Sequence, residues 1–311
     1  MLPVVRYREY PPSEPLQGVV RAFFTFAAPV ANEPLDRPIA REVAFAAGDS
    51  FCSPLFADAH ASLVFNFSKA CRADGIWIPI SAAPHADLIG PMTRVGTCSL
   101  AERPEMAGVY FRSASLFPLT GAPVSELTDC IIGLETFWGA AAFDLAEELG
   151  HTHPEIARVR MLETVLLQRM AKAHGPAGTI DIAGLSRWAL HRRGQLTVDR
   201  LAEAAGVSRQ QLTRVFRRTV GVTPKLYCRL ARFQATLGYA GCGGAPDWAR
   251  VATEAGYADQ SHMIADFRRF SSLTPGSLVQ ERRFHPFIER AQRAAHLPQS
   301  AHRRTRAGTR G

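Results

Sequence analysis

Four polar side chains with the chemistry to contact DNA bases lie within one short stretch of the sequence: Arg209, Gln210, Thr213 and Arg214. Arginine can donate two hydrogen bonds to guanine, glutamine can pair with adenine, and threonine can contact thymine. Leu212 and Phe216 lie one helical turn apart in the same stretch. A helix that buries these two residues presents the four polar side chains on its opposite face. The spacing therefore predicts an amphipathic helix suited to reading base edges in a major groove.

This stretch belongs to an internal repeat, in which residues 201–224 and 251–275 carry the same sparse pattern. Such self-similarity marks a repeated supersecondary unit. The matched pairs are Leu201-Ala202 with Val251-Ala252, Ala205-Gly206 with Ala255-Gly256, Phe216-Arg217-Arg218 with Phe267-Arg268-Arg269, and Thr223-Pro224 with Thr274-Pro275. The agreement falls on small, apolar and turn residues, which are the positions that build structure.

Each copy is predicted to form a helix, a tight turn and a second helix. Gly206 can end the first helix in a left-handed conformation. Ser208 and Gln211 match a capping box, which satisfies free backbone N–H groups at the start of the second helix. Together these features predict a helix-turn-helix.

The second copy has a poorer polar face. Its second helix is predicted to begin at Asp259 or Gln260 and to bury Met263 and Phe267. Ile264 and Ala265 replace the equivalents of Thr213 and Arg214, so the base-reading candidates there are Gln260, Ser261 and His262. Contacts to DNA phosphates are predicted for Arg217, Arg218, Lys225, Arg229, Arg268 and Arg269. We therefore expect the first unit to dominate base readout and the second mainly to position the protein.

The charge of the chain is unevenly distributed. From Arg187 to the C-terminus there are 22 Lys and Arg against 8 Asp and Glu, a net charge of +14, whereas the preceding part has 14 against 20, a net charge of −6. Because phosphate contacts supply most non-specific affinity for nucleic acids, the basic part is the one expected to meet a polyanion. A merely solvated basic surface is the alternative interpretation.

The C-terminal region resembles the AraC/XylS family of bacterial transcription regulators. Residues 180–284 look like its DNA-binding module, residues 224–235 resemble its connecting helix, and residues 256–262 with Leu273-Thr274-Pro275 resemble its C-terminal signature. Ala265 departs from the pattern, since many members carry an arginine there. The resemblance implies two recognition helices in successive major grooves.

The sequence gives little indication of a metal site or of enzyme chemistry. The six cysteines, Cys52, Cys71, Cys98, Cys130, Cys228 and Cys242, contain no C-x-x-C pair, and His151 and His153 lack a third ligand at useful spacing. We expect no metal, no cofactor and no enzyme activity. Two alternatives stay open: an alkyl-transfer DNA-repair protein, and a DNA-binding protein of low specificity.

The N-terminal region reads as short strands followed by helices. A barrel or sandwich, for which a cupin-like form is one option, is predicted by the apolar runs AFFTF, REVAFAAG, SLVFNF, GIWIPI, HADLIGP and AGVYFRS. Helices are predicted over residues 137–149 and 155–172, and the apolar stripe of the second could pack on the barrel or on another subunit. The fold class is α+β with two domains, β-rich at the N-terminus and all-α with two helix-turn-helix units at the C-terminus.

Ligand-facing groups could include His60, Trp77, His85, Arg94, Tyr110 and Arg112, although each is more often an ordinary core or surface residue.

The predicted domains are an N-terminal sensory or dimerisation domain over residues 1–173, a linker over 174–179, the DNA-binding module over 180–284 and a disordered basic tail over 285–311. Without a leader or an apolar run long enough to span a bilayer, the chain is expected in the cytoplasm. Double-stranded DNA is the expected partner. RNA polymerase, a small-molecule effector and a second copy of the chain are left open as further partners.

Overall fold

The computed structural model describes residues 4–27, 41–46, 51–68, 84–100, 105–172, 180–237 and 247–280. The strands are β1 Val4–Tyr10, β2 Val20–Ala27, β3 Arg41–Ala46, β4 Phe51–Leu55, β5 Ser62–Asn66, β6 His85–Ile89, β7 Gly96–Leu100, β8 Met106–Phe111 and β9 Ile131–Gly133. The helices are α1 Phe117–Thr120, α2 Glu135–Trp138, α3 Ala140–His151, α4 Glu155–Lys172, α5 Ile182–His191, α6 Val198–Ala204, α7 Arg209–Val220, α8 Pro224–Leu237, α9 Trp248–Glu254, α10 Gln260–Ser271 and α11 Pro275–Gln280. Strands thus precede helices, and the predicted α+β class is confirmed.

The N-terminal strands form an antiparallel sheet in the order β3-β1-β2-β8-β5-β6-β9, beside a two-stranded sheet of β4 and β7. Successive side chains of a strand point to opposite faces, and both faces of the long sheet are apolar. On β2, Phe23 packs into the cluster that faces the helices, whereas Phe24 packs on the other face, where its ring lies 4.4 Å from that of Tyr110. Tyr7 and Phe26 join this second, aromatic cluster, with their rings 4.7 Å apart.

Helices α3 and α4 cover one face of the sheet. The apolar stripe of α4, Ile156, Val159, Leu162 and Leu166, is buried in the same cluster as the side chains of β2, β5 and β8. Of the two alternatives for this stripe, packing on the sheet is therefore the one observed. The helix predicted over residues 137–149 is interrupted, because Gly139 adopts a φ of 60° and separates α2 from α3.

The C-terminal module is built around α8. Its buried residues contact both repeats: the Tyr227 ring lies 5.3 Å from that of Phe216 on α7, and the Phe233 ring lies 5.1 Å from that of Phe267 on α10. Phe270 adds a second ring 5.4 Å from Phe233. Helix α8 therefore holds the two repeats together through one aromatic core.

N-terminal residues enter this C-terminal core. Phe56 is almost completely buried and its ring lies 6.2 Å from that of Phe233. The N–H of Ala57 donates to the carbonyl of Phe270 at 2.9 Å, and the carbonyl of Ala57 accepts from Gln234 at 2.8 Å. Phe56 and Ala57 thus belong to the core of the C-terminal module, whereas the sheet keeps its own clusters.

Five of the six apolar runs of the N-terminal region lie in strands that the structure describes. Runs in β2, β3, β5, β6 and β8 are strands as expected, whereas β1, β4, β7 and β9 were not anticipated. The GIWIPI run with Trp77, the linker over 174–179 and the tail over 285–311 lie outside the described residues. Within the residues that the structure describes, no helix is long and apolar enough to cross a bilayer.

Arg158 links three elements of the N-terminal region. Its side chain is fully buried, its Nε donates to the carbonyl of Leu149 at 2.8 Å, and one Nη donates to Glu105 at 2.6 Å and to the carbonyl of Gly150 at 3.3 Å. The guanidinium also lies 4.4 Å from the ring centroid of Phe67. It therefore satisfies the carbonyls at the end of α3 while it sits on α4.

Replacing Arg158 with methionine should lower the free energy of unfolding by about 2–4 kcal/mol, because buried carbonyls and a carboxylate lose their donor. Lys172→Met, in the exposed last turn of the same helix, should change it by less than about 0.5 kcal/mol. Urea denaturation followed by circular dichroism measures both. Equal urea midpoints for the two variants would show that the buried hydrogen bonds of Arg158 do not stabilise the fold.

Candidate nucleic-acid interface

The first repeat forms a capped helix-turn-helix. Gly206 ends α6 with a φ of 65°, and the N–H of Val207 donates back to the carbonyl of Ala202 at 3.1 Å. The hydroxyl of Ser208 accepts from the N–H of Gln211 at 3.2 Å, as the capping pattern predicts. Leu212 is completely buried, as is Phe216. These local interactions fix the direction in which α7 leaves the turn.

The second repeat has the same construction. Gly256 has a φ of 78°, and the N–H of Tyr257 donates to the carbonyl of Ala252 at 2.9 Å, in the position that Val207 and Ala202 occupy in the first repeat. Asp259 caps α10 by accepting from the N–H of His262 at 2.7 Å. The helix therefore starts at Gln260, within the predicted range.

Helix α7 presents the predicted base-reading residues on its outer face. Arg209, Gln210 and Arg214 are exposed and Thr213 is half-buried. Arg209 forms an ion pair with Asp199 of α6, across the turn. This exposed pair is weak, so the guanidinium can exchange the carboxylate for another acceptor at little cost.

Helix α10 presents a different face. Gln260, Ser261 and His262 are exposed at its first turn, and the His262 ring lies 5.4 Å from that of Tyr257 in an edge-on arrangement. Ala265 is exposed and Ile264 is half-buried further along. After its first turn, α10 therefore offers small or apolar groups where α7 offers Thr213 and Arg214.

The predicted phosphate contacts divide into two groups. Exposed side chains belong to Arg217, Arg218, Lys225, Arg268 and Arg269. Arg229 is instead half-buried and donates to Asp266, whose side chain is fully buried on α10. The Arg229 guanidinium also lies 5.5 Å from the Phe270 ring centroid. Its phosphate contact stays a prediction, but the guanidinium already joins α8 to α10.

Sequence reasoning missed one part of this surface. The short 3-10 turn Val124–Glu126, in the N-terminal region, packs against α7. Pro123, Ser125 and Glu126 form one side of a groove of about 770 Å³, and the other side consists of Arg209, Gln210, Thr213, Arg214, Arg217 and Arg218. The two sides lie more than eighty residues apart along the chain, and no periodic pattern in a single sequence indicates such a contact.

The other candidate residues do not converge on one site. His60 pairs with Asp58 at 2.5 Å, His85 lies 3.3 Å from Asp87, and Arg112 donates to the carbonyl of Gln17 at 2.6 Å. Tyr110 is buried in the aromatic cluster and Arg94 is exposed. Across the described ranges, no group of three His, Cys, Asp or Glu side chains is arranged to hold a metal ion.

Cys228 bears on the alkyl-transfer alternative. Its thiol is buried in α8, and burial raises its pKa to about 11. An acceptor cysteine reacts as the thiolate, whereas this thiol stays protonated at neutral pH. The same core contains Tyr227, whose hydroxyl pKa is also raised by burial, and whose oxygen lies 2.8 Å from that of Ser113. Cys228 is thus a core residue.

The two capped units, each with a polar outer helix, define the C-terminal module as a helix-turn-helix DNA-binding domain. A family model described as a helix-turn-helix domain matches residues 201–281, and another, described as a domain of unknown function, matches residues 8–132. The helix-turn-helix match covers both repeats of the C-terminal module, and it agrees with the resemblance of that module to the AraC/XylS family.

Solved structures similar to the chain include crystal structures of ToxT from Vibrio cholerae. One, from strain O395, is 11% identical over 75% of this chain and 96% of that one, with a TM-score of 0.41. Another, of ToxT bound to (E)-4-(8-methylnaphthalen-1-yl)but-3-enoic acid, is 12% identical over 74% and 97%, with a TM-score of 0.43. A search of curated proteins found no significant match.

Replacing Arg229 with methionine should destabilise the module by about 3 kcal/mol, because the buried carboxylate of Asp266 loses its partner. Asp266→Asn should cost less, since the Arg229 side chain is 30% exposed and can be hydrated. Thermal unfolding measures both variants. Lys225→Met is the matched control, and an Arg229→Met midpoint equal to its midpoint would contradict a structural role for Arg229.

Proposed function

We propose that this protein is a sequence-specific transcription regulator whose first helix-turn-helix unit supplies most of the base readout. The observation that carries the proposal is the contrast between the outer faces of the recognition helices. Arg209, Gln210 and Arg214 are exposed on α7, whereas α10 continues from its polar first turn into Ile264 and Ala265. Bidentate donors discriminate bases strongly, and small apolar groups discriminate mainly through thymine methyls.

In this proposal the mechanism is binding rather than catalysis. Each recognition helix, about 10–12 Å across with its side chains, enters a major groove about 12 Å wide. Arg217 and Arg218 on α7, and Arg268 and Arg269 on α10, then contact phosphates beside the two grooves. Those contacts release counterions and set the orientation of the protein, while the first turn and middle of α7 read the sequence.

The N-terminal domain is proposed to modulate this binding, with a small molecule or a second copy of the chain as the source of the signal. Support comes from the contacts of Phe56 and Ala57 with α8 and α10, because a change in the sheet domain can reach both repeats through them. Such a coupling requires that the signal bind two states with different affinity.

Arg214→Ala should lower affinity for a specific duplex by about 1–3 kcal/mol, roughly fivefold to 150-fold, and change affinity for a random duplex much less. His262→Ala should cost less specificity. Fluorescence anisotropy with both duplexes measures the ratio. If the two variants lose specificity equally, the first unit does not dominate readout.

Genome-wide binding of the full-length protein to sheared genomic DNA tests the function as a whole, at about 0.15 M ionic strength. Sharp sites should appear for the native protein and disappear for Arg209→Ala/Arg214→Ala. The double variant Arg160→Ala/Lys172→Ala removes the same charge from the exposed side of α4 and should retain the sites. Diffuse binding shared by all three proteins would indicate a DNA-binding protein of low specificity.

A further inference from the structure

The Val124–Glu126 turn is held against α7 by specific contacts. The hydroxyl of Thr128 donates to the carbonyl of Gly221, the residue that caps α7, at 2.9 Å. A Cβ atom built on Gly221 would lie 2.7 Å from that hydroxyl and 3.1 Å from side-chain atoms of Val124 and Pro91. The close packing shows that the turn is seated on the end of α7.

The turn lies beside the face that would meet DNA. Leu212 and Phe216 point into the core, so the flank that carries Thr213 and Arg217 separates the core from the outermost residues. The groove between this helix and the turn contains Thr213, Arg214 and Arg217 on one side and Ser125 and Glu126 on the other. The turn therefore borders the outer face of α7 on the side of Thr213 and Arg217.

A bound duplex would need the same space. A recognition helix with its side chains nearly fills a major groove, and a phosphate backbone must then pass along each flank of the helix. On the flank with Thr213 and Arg217, that position is next to Ser125 and Glu126. A phosphate backbone on this flank would therefore share the groove with Ser125 and Glu126.

The charges and contacts around the turn also oppose DNA. Glu126 is exposed and places a carboxylate on the side of the groove opposite the arginines, where a phosphate would meet like charge. Arg218 lies 5.4 Å from the ring centroid of Phe117 on α1, in a cation–π contact. Two predicted phosphate-binding residues, Arg217 and Arg218, thus border N-terminal residues rather than open solvent alone.

The turn belongs to a broader docking of the N-terminal domain. Phe56 and Ala57 are seated on α8 and α10, and the hydroxyls of Ser113 and Tyr227 lie 2.8 Å apart in the interior. These contacts also hold the sheet domain on the module, and they involve other residues than the hydrogen bond between Thr128 and Gly221. Removing the turn from α7 therefore requires either a local shift of residues 123–128 or release of the larger contact.

We infer that the Val124–Glu126 turn covers one flank of α7 and competes with DNA, so that this arrangement is a low-affinity form. The inference rests on the proposed function only in taking α7 as a DNA-binding helix. DNA and the turn are mutually exclusive on that flank, and any signal that moves the turn off α7 raises affinity.

The test uses the full-length protein with Glu126→Gln and Thr128→Val combined, which removes the carboxylate and the hydrogen bond to Gly221. The Kd should fall about fivefold or more, within the usual range of coupling between sites. Anisotropy is measured with a duplex from the genome-wide experiment and with a random duplex. Glu147→Gln, on the exposed side of α3, removes one charge far from the turn and should leave the Kd within about twofold.

Hydrogen exchange of the unmodified protein gives a second measurement that does not depend on a variant. Amides of residues 123–128 should exchange faster when DNA is added, because DNA displaces the turn. Slower exchange there, or a Kd for the double variant that is unchanged or higher, would overturn the inference. If no specific sites exist, the proposed function fails, yet the random duplex still reports whether the turn competes with DNA.

Discussion

The aromatic packing around α8 is the constraint on which the C-terminal module depends. Two short helix-turn-helix units cannot each bury enough apolar surface to be stable alone. Tyr227 contacts Phe216 of the first unit, and Phe233 contacts Phe267 and Phe270 of the second. One helix therefore completes both cores, and a disturbance of its buried face reaches both recognition helices.

The same helix connects the module to the sheet domain. Phe56 adds its ring to the α8 core, and Ser113 meets Tyr227 in the interior. The domains consequently share buried side chains instead of touching only at their surfaces. Such an interface is stiff, because a close-packed core allows a few discrete arrangements and resists gradual deformation.

Much of the module could be predicted from the sequence, because its determinants are local. Gly206, Ser208 and the spacing of Leu212 and Phe216 each act within a few residues, and all adopt the expected roles. The N-terminal sheet was harder to predict, since β1 mixes charged and aromatic residues and its neighbours along the sheet are set by distant pairing. Arg229 looked like a surface cation until the fold brought Asp266 beside it.

The unlike outer faces of α7 and α10 have a consequence for orientation. Two identical units would present the same side chains to both grooves. Here α7 carries Thr213 and Arg214 where α10 carries Ile264 and Ala265. The two ends of the module would therefore contact different bases, which gives the bound module one preferred direction along a duplex. Because the sheet domain contacts both units, its position relative to that direction would be fixed.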